Sequence, residues 1–168
     1  MKGFTLFEIL VTVLILTFII GGMYGVLIIS TTNYNTNLAS LNLQRQARQG
    51  MRWLSRDIRQ ASWASRDIDG PDANNNYNIT FNTTDATGVE YFVSATTLAS
   101  GVTLWQLKRE CPTCTDIIIA NDIRCLNLSQ GSGQILNIQM QASKTFRSLG
   151  RDRTLTFNLT EQVQVRNP

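Results

Sequence analysis

The sequence predicts an α+β fold in which one long N-terminal helix packs on an antiparallel β-sheet. Three features predict it: an N-terminal apolar run of membrane length, a stripe of apolar residues at helical spacing further on, and a switch to period-two alternation in the second half. The 168 residues are 43% hydrophobic and 16% charged, which suits one modest domain and not a disordered tail. That balance hides a polarity split: residues 4–44 hold a single charged side chain, Glu8, and 26 of the 27 charges lie outside them.

The first element is residues 4–29, FTLFEILVTVLILTFIIGGMYGVLII, whose 26 residues exceed the roughly 20 that span a bilayer as a helix. A secretory signal fits poorly, because its apolar core runs to about 7–15 residues and closes on small residues. Glu8 interrupts the run, and an unpartnered carboxylate in lipid costs on the order of a few kcal/mol. Either it sits near enough to the helix end to reach the interface, or a specific cation awaits it. Gly21 and Gly25 stand at GxxxG spacing, which permits close helix contact. The first proline is Pro71, so any loosening of this helix must come from its glycines.

The second element, residues 30–64, continues the helix. Ala47, Met51, Leu54, Ile58 and Ala61 recur at steps of three and four and fall within about 80° of one another, the pattern of a core-facing stripe. Arg45, Arg48, Arg52, Arg56 and Arg59 form a second stripe centred roughly opposite, which faces solvent or a seam to a partner. A helix over residues 4–64 would be about 90 Å long, its first half in lipid and its second on a domain. The net charge of +3 comes entirely from residues 1–69, with seven Lys/Arg and four Asp/Glu, since residues 70–168 hold eight of each. The excess adjoins a membrane-length run, where cations have other uses, so a nucleic-acid partner is not expected.

Residues 65–78, SRDIDGPDANNNYN, join Gly70-Pro71 to an asparagine run and read as a linker. Residues 79–168 then read as a β-rich domain. Leu136, Ile138 and Met140 alternate with polar residues, as do Leu155, Phe157 and Leu159, giving two half-buried strands. Weaker strands are expected at 79–82, 89–94, 103–109, 116–120, 123–128 and 162–166. The core is small, so a disulfide would help it.

Three cysteines and no histidine exclude most zinc sites, haem ligation, Ser-His and Cys-His nucleophiles and histidine acid–base chemistry. No cofactor, metal or catalytic residue is expected. Cys111-Pro-Thr-Cys114 has the spacing of a redox motif, which would make the chain a membrane-anchored thiol-disulfide oxidoreductase, but its surroundings read as strand instead of the βαβ setting such a motif needs. A structural disulfide between Cys125 and either Cys111 or Cys114 is the simpler expectation, and suits an oxidising space outside the inner membrane.

The opening Met1-Lys2-Gly3-Phe4-Thr5-Leu6-Phe7-Glu8-Ile9-Leu10 combines a short basic leader, a glycine, a phenylalanine and a glutamate fifth from it, ahead of an unbroken apolar run. In this it resembles the class III signal of type IV pilins and pseudopilins. The resemblance implies a type IV pilin-like fold, cleavage by a prepilin peptidase between Gly3 and Phe4, and N-methylation of Phe4. It also implies that Glu8 pairs with the N-terminal amine of a neighbouring subunit during assembly. Residues 51–61, MRWLSRDIRQA, and the ending 157–167, FNLTEQVQVRN, look like W-type minor pilins and J-type minor pseudopilins of type II secretion. Residues 110–125 depart from both subgroups. The implied function is a non-catalytic subunit that helps to initiate or cap a type IV pilus or a type II secretion pseudopilus. Its implied partners are other pilin or pseudopilin subunits, the prepilin peptidase, the inner-membrane assembly platform and, before assembly, membrane lipid. A major pilin and a DNA-uptake pilin are the alternatives within the family. The implied location is the inner membrane, single pass, with the β-domain outside the cytoplasm, and then a periplasmic or surface filament.

Overall fold

The computed structural model describes residues 5–84, 86–99, 101–112, 115–148 and 150–165. Helix α1, Leu6–Gln60, runs unbroken for 55 residues, about 80 Å. In its polar middle the threonine hydroxyls turn back onto the helix's own carbonyls and so find partners without leaving it: Thr31 donates to Leu27 O and Ile28 O at 3.0 Å, Thr32 to Ile28 O at 2.8 Å and Thr36 to Thr32 O at 2.9 Å. Thr12 and Thr17 hide their hydroxyls in the same way within the apolar run, at 2.8 and 2.7 Å.

The helix stops at Gln60, four residues short of the expected end. Ala61 is extended, and a single 3-10 turn follows over Trp63–Ser65. The sheet captures the chain here: Ser62 N–H donates to Asn82 O at 3.1 Å, and Asn82 N–H donates to Ser65 Oγ at 3.0 Å. The expected linker over 65–78 is likewise not all loop. It contains strand β1, Asp67–Asp69, paired with β2, Asn78–Phe81. A three-residue strand with two charges carries no alternation to read. The rest of the segment is pinned to the domain. Asp72 Oδ1 accepts from the amides of Asn74 and Asn76 at 2.8 Å, and buried Asn76 accepts from Leu126 N at 2.9 Å. Gly70 is required at this turn, because its φ of +134° and a Cβ 2.9 Å from Asn76 O would both strain another residue.

The remaining strands are β3 (Val89–Thr97), β4 (Thr103–Glu110), β5 (Ile117–Asn121), β6 (Ile123–Gln130), β7 (Ile135–Ser148) and β8 (Arg151–Gln164). They form two antiparallel sheets, β1-β2-β3-β4-β5 and β6-β7-β8, where one sheet was expected. The division falls at Asp122, whose φ of 61° turns the chain out of β5, and whose carbonyl accepts from Ser143 N at 2.8 Å. The strands expected around 155–159 and at 162–166 are one strand, β8. With β7 it makes a hairpin paired from Ile135↔Gln164 to Ser148↔Arg151.

Both sheets close on one face of α1. Leu43, Ala47, Met51, Leu54, Ile58 and Ala61 are each 3% exposed or less, so the whole apolar stripe is core. The closest approach is at Gly50, where a Cβ would stand 3.0 Å from Leu107 Cδ2 and 3.1 Å from Met140 Sδ. Gly50→Leu is therefore expected to overpack the helix–sheet seam and cost roughly 1–3 kcal/mol, read as a lower denaturant midpoint of the full chain in detergent. An unchanged midpoint would contradict this packing.

Candidate functional site

The first buried residue of α1 is Leu43. N-terminal to it, large apolar side chains including Leu6, Phe7, Ile15, Phe18, Met23 and Val26 are exposed, and this half of the helix is long and apolar enough to cross a membrane. Gly21 and Gly25 lie on the bare helix with nothing within 4 Å of a Cβ at either, so their small-residue face is open. Gly3 and Phe4, the expected processing residues, lie outside the described residues.

Glu8 has a local role that sequence reading missed. Thr5-Leu6-Phe7-Glu8 is a capping box: Glu8 N–H donates to Thr5 Oγ1 at 3.3 Å, while the Thr5 amide and hydroxyl each lie 3.4 Å from Glu8 Oε2. The S/T-x-x-E signal was present in the sequence. The box gives the carboxylate polar partners in a lone subunit, without any neighbouring chain.

The five arginines of the second stripe are all exposed. Arg59 Nη2 meets Glu161 Oε1 at 3.2 Å, and Arg56 Nε meets Asp57 Oδ1 at 3.1 Å with its guanidinium 4.2 Å over the Trp53 ring. Arg45, Arg48 and Arg52 form no ion pair among the described residues; with Gln49 and Trp53 they line an open hollow. The stripe is thus an available cationic face on the opposite side of α1 from the core.

Behind that face lies the latch between helix and sheet. Asp57 is buried and accepts at Oδ2 from Tyr91 Oη at 2.8 Å and Arg109 Nε at 2.9 Å, tying α1 to β3 and β4. Burial first, and then the Asp57 carboxylate, push the Tyr91 phenol well above its ordinary value of about 10. A raised folded value favours the fold fully below pH about 10; that contribution is then lost as pH rises toward the folded value, because the unfolded chain gives up the phenol proton first. Wild-type stability is therefore expected to fall more steeply between pH 9 and 11 than that of Tyr91→Phe, by up to about 1.4 kcal/mol per unit above pH 10. Denaturant titrations of both chains measure this, and parallel pH profiles would contradict it.

The expected bridge through Cys125 does not form. Cys111, at the end of β4, is buried and disulfide-bonded, whereas Cys125 on β6 is a free thiol whose Sγ donates to Asn75 O at 3.5 Å. Cys111 directly follows β4 of one sheet, whereas Cys125 lies within β6 of the other, a division that sequence spacing does not reveal. Cys114 lies outside the described residues. Burial, and then Asp72, raise the Cys125 thiol, so it is a poor nucleophile at neutral pH. Alkylation of the unfolded, unreduced chain is expected to label Cys125 and spare Cys111 on peptide mapping; a labelled Cys111 would contradict this pairing. Thiol exchange needs access, and Cys111 is only 7% exposed.

Comparison with family models, with curated proteins and with solved structures found no match.

Proposed function

We propose that the chain is a minor pilin or pseudopilin, a non-catalytic structural subunit that helps to initiate or cap a type IV pilus or a type II secretion pseudopilus. The observation that carries this reading is the contrast along α1. Residues 6–29 present bare apolar side chains, while the residues from Leu43 onward are built into a β-domain. A helix with half its length uncovered needs a second environment, either a bilayer or a bundle of like helices. The opening sequence supports both in turn: cleavage after Gly3 would create a cationic amine at Phe4, four residues from Glu8. In the lone subunit the Thr5 cap holds the Glu8 carboxylate, and in the filament the amine of a neighbour replaces it. The chain begins as a single-pass inner-membrane protein with its β-domain outside the cytoplasm. Its partners are other pilin-like subunits, the prepilin peptidase and the assembly platform.

Quantitative mass spectrometry of sheared or periplasmic filaments, with and without the gene, tests this. The proposal expects the chain at low stoichiometry in the filaments and few filaments in its absence. A chain that forms the bulk of the filament is a major pilin. A chain absent from filaments but active in insulin reduction through Cys111 is the thiol oxidoreductase.

A further inference from the structure

The β-domain is electrically polarised along the helix axis, and contacts fix which end is which. Arg59 meets Glu161, whose partner in β7 is Ile138; Gly50 lies against Met140; and Gln46 Oε1 accepts the amide of Asn121, next to Asp122, whose carbonyl holds Ser143. Helix levels 59, 50 and 46 thus match β7 residues 138, 140 and 143, so β7 descends toward the apolar end of α1. The five residues on to Ser148 add up to about 17 Å, or roughly eleven helix residues, which brings the hairpin tip near the level of residue 35. Half-burial of Thr36, Ala39 and Ser40 agrees with cover reaching that far. From there the end of the apolar run at Ile29 is about 9 Å away, within reach of long side chains at the polar layer of a bilayer.

That tip is basic. Residues 144–153 hold Lys144, Arg147, Arg151 and Arg153 against Asp152, and all five are exposed; Asp122 meets Lys144 at 3.4 Å across the same cleft, so the surplus of cations is carried by Arg147, Arg151 and Arg153. Beside it lies the β3–β4 hairpin tip with exposed Leu98, Val102 and Leu104, and a cleft of about 580 Å³ separates the two tips. Toward the other end of the domain Glu90 and Glu110 face each other across β3 and β4, with Asp69 near enough to raise Glu90 further. Cations flanked by apolar side chains on the membrane-facing end are the composition that binds an anionic lipid surface.

We propose that, before assembly, the β7–β8 tip docks on the anionic headgroups of the bilayer that holds α1. This rests on the membrane-anchored reading above. The test is hydrogen exchange of the full chain reconstituted in phosphatidylcholine vesicles, and in vesicles with a third of the lipid replaced by phosphatidylglycerol. Residues 144–153 are expected to exchange roughly fivefold more slowly in the anionic vesicles. High salt should abolish that protection, as should Arg151→Glu with Arg153→Glu, while residues 45–59 exchange alike in both. Equal exchange of the tip in both lipids, or protection that survives charge reversal, overturns the proposal and leaves the anchor standing, provided residues 6–29 stay protected. Free exchange of residues 6–29 in both lipids overturns the anchor reading and the docking with it.

Discussion

Glu8→Ala is expected to leave the chain in the membrane fraction and to remove it from filaments. In the proposed assembly the carboxylate faces a neighbour's amine inside a helix bundle, where breaking a buried ion pair costs about 3–5 kcal/mol. At about 1.4 kcal/mol per tenfold, incorporation should fall on the order of a hundredfold or more. Alanine also deletes the capping box, so Glu8→Gln is the sharper variant. Glutamine can close the box with Thr5 but carries no charge. The account expects Glu8→Gln to fail in assembly nearly as badly as Glu8→Ala, measured as the ratio of chain in sheared filaments to chain in membranes. Normal incorporation of Glu8→Gln would mean that Glu8 serves its own helix and not a neighbour.

The second large effect is expected at Asp57. Asp57→Ala removes the buried carboxylate that the Arg109 guanidinium, only 14% exposed, and the Tyr91 hydroxyl both donate to. The expected loss is about 3–5 kcal/mol, a large part of the roughly 5–15 kcal/mol that holds a domain folded. Denaturant unfolding of the full chain in detergent measures it. Asp57→Asn should recover part of the loss by keeping an acceptor for Tyr91. A change under about 1 kcal/mol for Asp57→Ala would mean that the latch does not hold helix to sheet. The consequence extends to the surface, because Asp57 also receives Arg56, and the latch therefore helps to set the face that the arginine stripe offers to a partner.

The stripe of Ala47, Met51, Leu54, Ile58 and Ala61 was legible because burial of a helix face imposes a period on the sequence, and all five residues are core. The alternation through Leu136, Ile138 and Met140 was legible for the same reason. Strand length was not: β7 and β8 run on as arms that pair with each other, and at 144, 145, 147 and 151–154 every side chain is polar and exposed, so no alternation marks them as strand. The split into two sheets falls at one turn at Asp122, which leaves no mark on the alternation. Asp57 passed for one more charge in a charged helix. Its signal was weak but present, since on the helical wheel it flanks the apolar stripe, whereas the arginines centre on the opposite side.

In the candidate site, the exposed arginines and bare apolar helix were expected from sequence, whereas the Thr5 cap was written in it and overlooked. The docking tip needed the structure, because the relation of β7 to α1 is a three-dimensional fact.

The central claim is tested most directly by the intact and N-terminal peptide masses of the chain from its native membrane. The account predicts a mature chain beginning at N-methylated Phe4, with the unprocessed form accumulating when Gly3 is replaced or the prepilin peptidase is lost. A functional chain that keeps Met1, Lys2 and Gly3 would contradict it, since Glu8 would then have no amine four residues away to exchange between neighbours.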